Sequence, residues 1–290
     1  MTTTLIPTRA PSGRSRTGRA GRGERLAFIT PVFLLLLVGF VAPLALLIPQ
    51  SFTDASGFTL GAYERFFTRS IYLEVIGNTA RIAGLTALFS ILAGYPLALW
   101  ISRLGSRGRI IAIVAVVLPF WVSILVRTYS WTVLLGKEGV INSALLKLGL
   151  ITEPLSLLYT DVGVLIGTVN LLAPFLILPL IATMSGIDPR LGQAARSLGA
   201  SPTQAFWRVF FPQTVPTLVA TSFLVFVLGF GFYITPAILG GGRVQMLPTV
   251  LSGLINTSPD WALAAAISIV LLVGAGLIGL LAKLVTRRTK

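Results

Sequence analysis

Histidine and cysteine are both absent from the 290 residues. The first absence removes the commonest general base and metal ligand. The second removes disulfides and thiolate metal sites, and with them any reading of redox compartment. Charge is scarce as well: 11% of residues are charged against 54% hydrophobic, and the mean hydropathy is +0.88. A soluble domain carries roughly twice that share of charge, so this chain belongs in a bilayer. Catalytic patterns are missing too. There is no His-Glu-x-x-His, no nucleophile elbow, and no pair of carboxylates on one apolar helix face. Ser123 and Ser130 have no histidine to activate them, and lone membrane serines serve helix packing. A phosphate-binding loop is also lacking, because Gly136-Lys137 is followed by Glu138 and has neither the upstream glycine nor the Ser/Thr that phosphate and magnesium require. The chain is therefore not expected to be an enzyme, and any ATP that drives it is hydrolysed elsewhere.

What is present is a set of long apolar runs. Crossing a hydrocarbon core takes about 20 helical residues, and six stretches qualify: Phe28–Ile48, Thr79–Ile101, Ile110–Leu134, Val162–Met184, Val215–Tyr233 and Trp261–Val285. This predicts an all-α, polytopic membrane protein. The net charge of +14 would point to nucleic acid if the basic residues formed one patch. They follow the membrane instead, which argues against a nucleic-acid partner. With the N-terminus in the cytoplasm, Arg9, Arg14, Arg16, Arg19, Arg22, Arg25, Arg103, Arg107, Arg109, Arg190, Arg196, Arg208, Lys283, Arg287, Arg288 and Lys290 all fall inside, sixteen of the 23 basic residues. That distribution is what the positive-inside rule demands, and it sets both termini in the cytoplasm.

The chain then divides into a disordered basic tail over residues 1–27 that meets anionic membrane lipid, a six-helix membrane domain over 28–286, and a basic tail over 287–290. The long basic leader and the lack of a small-residue cleavage site predict that Phe28–Ile48 is retained as a helix. Between the spans, Asn142 is expected to cap a short helix ending at Gly149, and Gly240-Gly241-Gly242 with Pro248 to mark a turn and re-entrant excursion. Pro43, Pro96, Pro119, Pro174 and Pro179 mark soft points within the spans. The span centres contain no Asp or Glu, which argues against ion-coupled transport. Arg81 and Arg127 are expected to snorkel at outer ends, and Asp161 and Asp260 to cap helices there.

One segment stands apart from this pattern. Asp188 to Pro212, DPRLGQAARSLGASPTQAFWRVFFP, is polar and cytoplasmic and reads as two short helices. Asp188 can cap a helix with Pro189 at its first position, Gly199 suits a left-handed stop, and Ser201-Pro202-Thr203-Gln204 restarts with a capping box. With no motor in the chain and no midplane acids, energy is expected to enter through this elbow.

Gln193-Ala194-Ala195, then Gly199, then Val209-Phe210-Phe211-Pro212 resembles the EAA loop of ATP-binding-cassette (ABC) importer permeases, with Gln193, Val209 and Phe211 in place of Glu, Ile and Leu. The resemblance runs from about Phe28 to Leu284. Gly94-Tyr95-Pro96-Leu97-Ala98, Val126-Arg127-Thr128-Tyr129-Ser130-Trp131, Gly139-Val140-Ile141-Asn142 and Ile238-Leu239-Gly240-Gly241 are similar to the spermidine/putrescine subgroup. It implies a type I ABC importer permease fold in the bacterial inner membrane. The implied partners are two cytoplasmic ABC ATPase subunits carrying the ATP and magnesium, a second permease chain and an extracytoplasmic substrate-binding protein. Gln193, Ala194, Ala195, Gly199, Ala200 and Pro212 would then couple to the ATPase, and the chain itself would hold no cofactor. A polyamine cargo calls for carboxylates and aromatic faces around its ammonium groups. The candidates are Trp121, Tyr129, Trp131, Phe230 and Tyr233, for which helix packing and the membrane's aromatic belt are the competing roles. Other small organic solutes and, further off, an ion-coupled secondary carrier are the alternatives.

Overall fold

The computed structural model describes residues 30–54, 57–257 and 259–288. The tail placed at residues 1–27 and the last two residues of the C-terminal tail lie outside them. Two compact units are distinguished. The first, up to Leu46, is helical from Thr30, with a π turn at Leu37–Val41 and apolar side chains exposed from Val32 to Val41. The second, from Leu47 on, contains everything described below.

Three helices form the centre of this second unit: Ser70–Ser102, Asp161–Gly186 and Pro202–Phe230. Ala98, Ile101, Leu176, Leu180, Met184 and Val225 are buried where they meet. The close approach depends on Gly94. A Cβ there would lie 2.9 Å from Leu176 Cδ2 and 3.0 Å from Ile177 Cγ1, tighter than packed side chains tolerate. Among the described residues, four helices are long and apolar enough to cross a membrane: these three and Thr30–Ser51. A bent pair makes a fifth, and the chain closes with Trp261–Arg288, 28 residues long.

The expected span Ile110–Leu134 is corrected to a bent pair, broken just after the soft point Pro119. Ser106–Val117 ends in a 3-10 turn, Leu118–Trp121, and a new helix, Ile124–Leu135, leaves with the pair bent by 98°. Pro119 has no N–H to give and its ring excludes the carbonyl four residues back, while Val122 and Ser123 take extended backbone with ψ 132 and 137. The fifth span is corrected as well. The second short helix of the elbow does not stop but runs on as Pro202–Phe230, through a π turn at Phe206–Phe210 just before Pro212. A wider turn is one way to carry a proline whose ring would otherwise meet the Arg208 carbonyl.

At the end that the charge distribution turns outward, segments distant in sequence are tied together. Thr79, fully buried, accepts from Leu247 N at 2.9 Å, and Asn78 Nδ2 donates to the Gln245 carbonyl at 2.7 Å. Arg65 pairs with Asp260 at 2.7 Å, and Asp260 Oδ1 accepts from Leu263 N at the start of the last helix, as a cap should. Asp161 is not the cap of its helix. Thr160 takes that place, and Asp161 pairs with Arg81, which therefore has a partner as well as access to headgroups. Asn142 is not a cap either: Gly139 occupies that position, and Asn142 is fully buried. Its Nδ2 donates to the Gly136 and Leu155 carbonyls, both at 3.0 Å, and its Oδ1 accepts from Leu155 N at 2.8 Å. The glycine turn folds as expected, with φ of +54 at Gly241 and +76 at Gly242 between helices Ile234–Leu239 and Leu247–Asn256.

Candidate functional site

The elbow is built from local bonds. Asp188 Oδ1 accepts from Arg190 N at 2.9 Å and opens the helix Pro189–Ser197. Gly199 sits at φ +88, its N–H donating to the Arg196 carbonyl at 3.0 Å, while Ala200 N donates to the Ala195 carbonyl at 3.0 Å. These two bonds form a Schellman stop, which needs the left-handed residue that glycine supplies without a Cβ penalty. Ser201 then restarts the chain. Its N–H donates to Gln204 Oε1 at 3.0 Å and its Oγ accepts from Gln204 N at 3.2 Å, the reciprocal capping box.

Of the residues expected to couple, Gln193, Ala194, Gly199 and Pro212 are exposed, and Ala195 and Ala200 half-buried. No residue of the Pro189–Ser197 helix is buried. Leu198, which the sequence reading passed over, is 89% exposed at the tip. An apolar residue directly before a glycine stop was the available signal. Gln193 is the fifth residue of its helix, beyond the first turn, where the field of the helix terminus has largely fallen away. The uncharged side chain therefore forgoes little helix-dipole stabilisation.

The elbow is not isolated from the bundle. Phe206 stacks on Phe210 at 5.7 Å, Trp207 lies 4.9 Å from Phe211, and Phe211 meets the edge of Tyr95 at 5.8 Å between ring centroids. Tyr95 also shares a hydrogen bond of 3.0 Å with the buried Thr214. A column of rings thus links the elbow to the Ser70–Ser102 helix. Tyr95 stood in a quoted motif without a role, because its partners lie about 120 residues away.

The five aromatic candidates for a path do not come together. Trp121 is 88% exposed and Tyr129 is also exposed, whereas Phe230 is buried in the core with Phe226 stacked on it at 6.0 Å. Tyr233 accepts from Ser252 Oγ at 3.0 Å. Trp131 donates to Asn170 Oδ1 at 3.3 Å and walls a largely apolar open cavity of about 770 Å³ with Phe89, Leu92, Val162 and Ile166. Arg127 faces the Phe120 ring at 5.6 Å, and its Nε and Nη1 are buried with no hydrogen-bond partner among the described residues.

A bundle of long apolar helices carrying a capped elbow defines a multi-pass membrane transport subunit. Residues 88–290 match the family described as "Binding-protein-dependent transport system inner membrane component". The chain belongs to that family and is the permease subunit of an ABC importer, an inner-membrane transport protein rather than an enzyme. It is similar to the spermidine/putrescine transport system permease protein PotB of Haemophilus influenzae, with 34% identity over 82% of this chain and 85% of that one. PotB of Escherichia coli is 33% identical over 76% and 80% of the two chains. Among solved structures, a bacterial ABC transporter for the import of alginate shares the fold at a TM-score of 0.76 and 22% identity, covering 91% of this chain and 95% of the other. The MetNI methionine ABC transporter does so at 0.58 and 15%, over 75% and 95%.

Proposed function

We propose that this chain forms part of the membrane path for a polyamine such as putrescine or spermidine, with six spans and both termini in the cytoplasm. Identity of 33–34% to PotB over most of the chain supports the cargo. The observation that carries the mechanism is the elbow: a capped helix, a left-handed glycine stop and a capping box leading without interruption into the Pro202–Phe230 helix. Two cytoplasmic ATPase subunits hold ATP and magnesium and couple through Gln193, Ala194, Ala195, Gly199, Ala200 and Pro212, the last just after the wide turn Phe206–Phe210. A second permease chain faces the open cavity at Trp131, and an extracytoplasmic binding protein delivers cargo. ATP binding draws the elbows together and opens the path outward; hydrolysis resets it.

The test is purification of the intact membrane complex followed by uptake of radiolabelled spermidine into proteoliposomes. Uptake that requires ATP and the binding protein is the expected result. Uptake without the ATPase overturns the coupling reading, and ATP-dependent uptake of another solute but no polyamine overturns the cargo. One observation favours that second cargo: the unpartnered Nε and Nη1 of Arg127 suit a carboxylate and repel an ammonium. Inhibition of uptake by carboxylate solutes and not by putrescine would mark it.

A further inference from the structure

The coupling scheme leaves without a role a second cavity, of about 470 Å³, between the elbow and the inward ends of the helices. Arg103, Arg109 and Arg196 line it against a single carboxylate, Asp188, which is already committed to capping Arg190 N. A smaller recess of about 180 Å³ shares Arg103 and Arg196. Arg109 is only partly satisfied. Its Nη2 donates to the Ser102 and Leu104 carbonyls at 3.0 and 3.2 Å, holding the end of the Ser70–Ser102 helix, but its Nε is buried with no hydrogen-bond partner among the described residues. A buried guanidinium N–H left without an acceptor is costly, so the side chain gains from an acceptor in the cavity that it lines. The remaining wall is apolar, with Met184, Ile187 and Phe210. From the residue after Arg109, Ile110, Ile111 and Val114 are exposed along the Ser106–Val117 helix. A ligand with an anionic oxygen head and an apolar chain matches both halves of this arrangement.

The geometry points to a site for an anionic phospholipid of the cytoplasmic leaflet, its phosphate held by Arg103, Arg109 and Arg196 and its acyl chains lying along Ile110, Ile111 and Val114. Guanidinium forks recognise phosphate bidentately, and an anionic leaflet concentrates the ligand at this depth. Because Arg196 belongs to the elbow, Arg103 to the end of the Ser70–Ser102 helix and Arg109 to the first turn of the Ser106–Val117 helix, the lipid ties the three together. The site does not depend on the cargo, and through Arg196 it adjoins the residues proposed to dock the ATPase.

The full chain, purified in a neutral detergent, is titrated with dioctanoyl phosphatidylglycerol, dioctanoyl phosphatidylcholine and inorganic phosphate, with bound ligand counted by native mass spectrometry. One phosphatidylglycerol is expected to bind roughly tenfold tighter than phosphatidylcholine, the effect of one to two arginines at an anionic lipid. The Arg103→Gln/Arg196→Gln double variant, both positions being exposed, keeps its melting temperature and loses that preference. Arg109→Lys, which keeps the charge but removes Nε, weakens binding by a smaller factor. Equal binding of the two lipids, or undiminished preference in the double variant, overturns the site. Inorganic phosphate binding as tightly as phosphatidylglycerol overturns the lipid assignment in favour of a soluble anion.

Discussion

At the outward end of the bundle, bonds join residues far apart in the chain: Thr79 to Leu247, Asn78 to Gln245, Arg65 to Asp260, and Tyr159 N to the Leu239 carbonyl at 2.9 Å. Of the side chains in these bonds Thr79 is fully buried. At the elbow the hydrogen bonds of residues 188–204 reach no further than five positions along the chain, and the helix Pro189–Ser197 buries nothing. The first kind of construction is rigid because every pin closes a long loop. The second is held by local bonds alone, which suits the docking role proposed for it. Leu198, 89% exposed, is the apolar side chain that a cleft of the proposed ATPase would cover.

The contrast can be broken in several ways. The largest effect is expected from Gly199→Val. At φ +88 a β-branched side chain is strained by about 1–2 kcal/mol, and the stop that aims the elbow is lost. Proteoliposome uptake should fall to background while membrane insertion, followed by protease protection, is kept; normal uptake would remove the elbow from the mechanism. Asn142→Leu should act on stability instead. It orphans the Gly136 and Leu155 groups at a cost of about 1–3 kcal/mol, read as a lower melting temperature and faster proteolysis between residues 136 and 161. If uptake collapsed while stability held, the outward end would be the moving part and the comparison would be reversed.

Ser201→Ala sharpens the difference. Loss of the cap costs roughly 1 kcal/mol, confined to the start of the Pro202–Phe230 helix, so hydrogen exchange should rise there and nowhere at the outward end. The smallest effect belongs to Gln193→Glu. Past the first helical turn the added charge should change stability by less than about 0.3 kcal/mol. A clear gain in ATPase co-purification would show that the charge acts on the partner rather than on the helix.

The elbow was legible because its caps are short-range. Asp188, Gly199 and the Ser201/Gln204 pair each act on a residue two to four positions away or on their own backbone, so residue type at a spacing was sufficient evidence. Asn142 was misread for the opposite reason. Its main partner, Leu155, lies 13 residues on, and nothing in the intervening sequence announces the pairing. Thr160 and Asp161 are both acceptable caps by type; the Arg81 side chain, 80 residues earlier in the sequence, claims Asp161. Pro119 was recognised as a soft point, but a proline alone does not say whether a helix tolerates a kink or turns through 98°.

From sequence alone came the membrane class, the non-enzymatic transport role and the elbow with its stop. All of these follow from composition or from local backbone chemistry. Tertiary structure decided what distance along the chain conceals: the approach that Gly94 permits, the ring column from Phe206 to Tyr95, and the burial of Phe230. It also gathered Arg103, Arg109 and Arg196 around one cavity. Those arrangements depend on how apolar faces pack once the helices are formed, and packing selects partners by shape and by what is left unsatisfied, neither of which a linear pattern records.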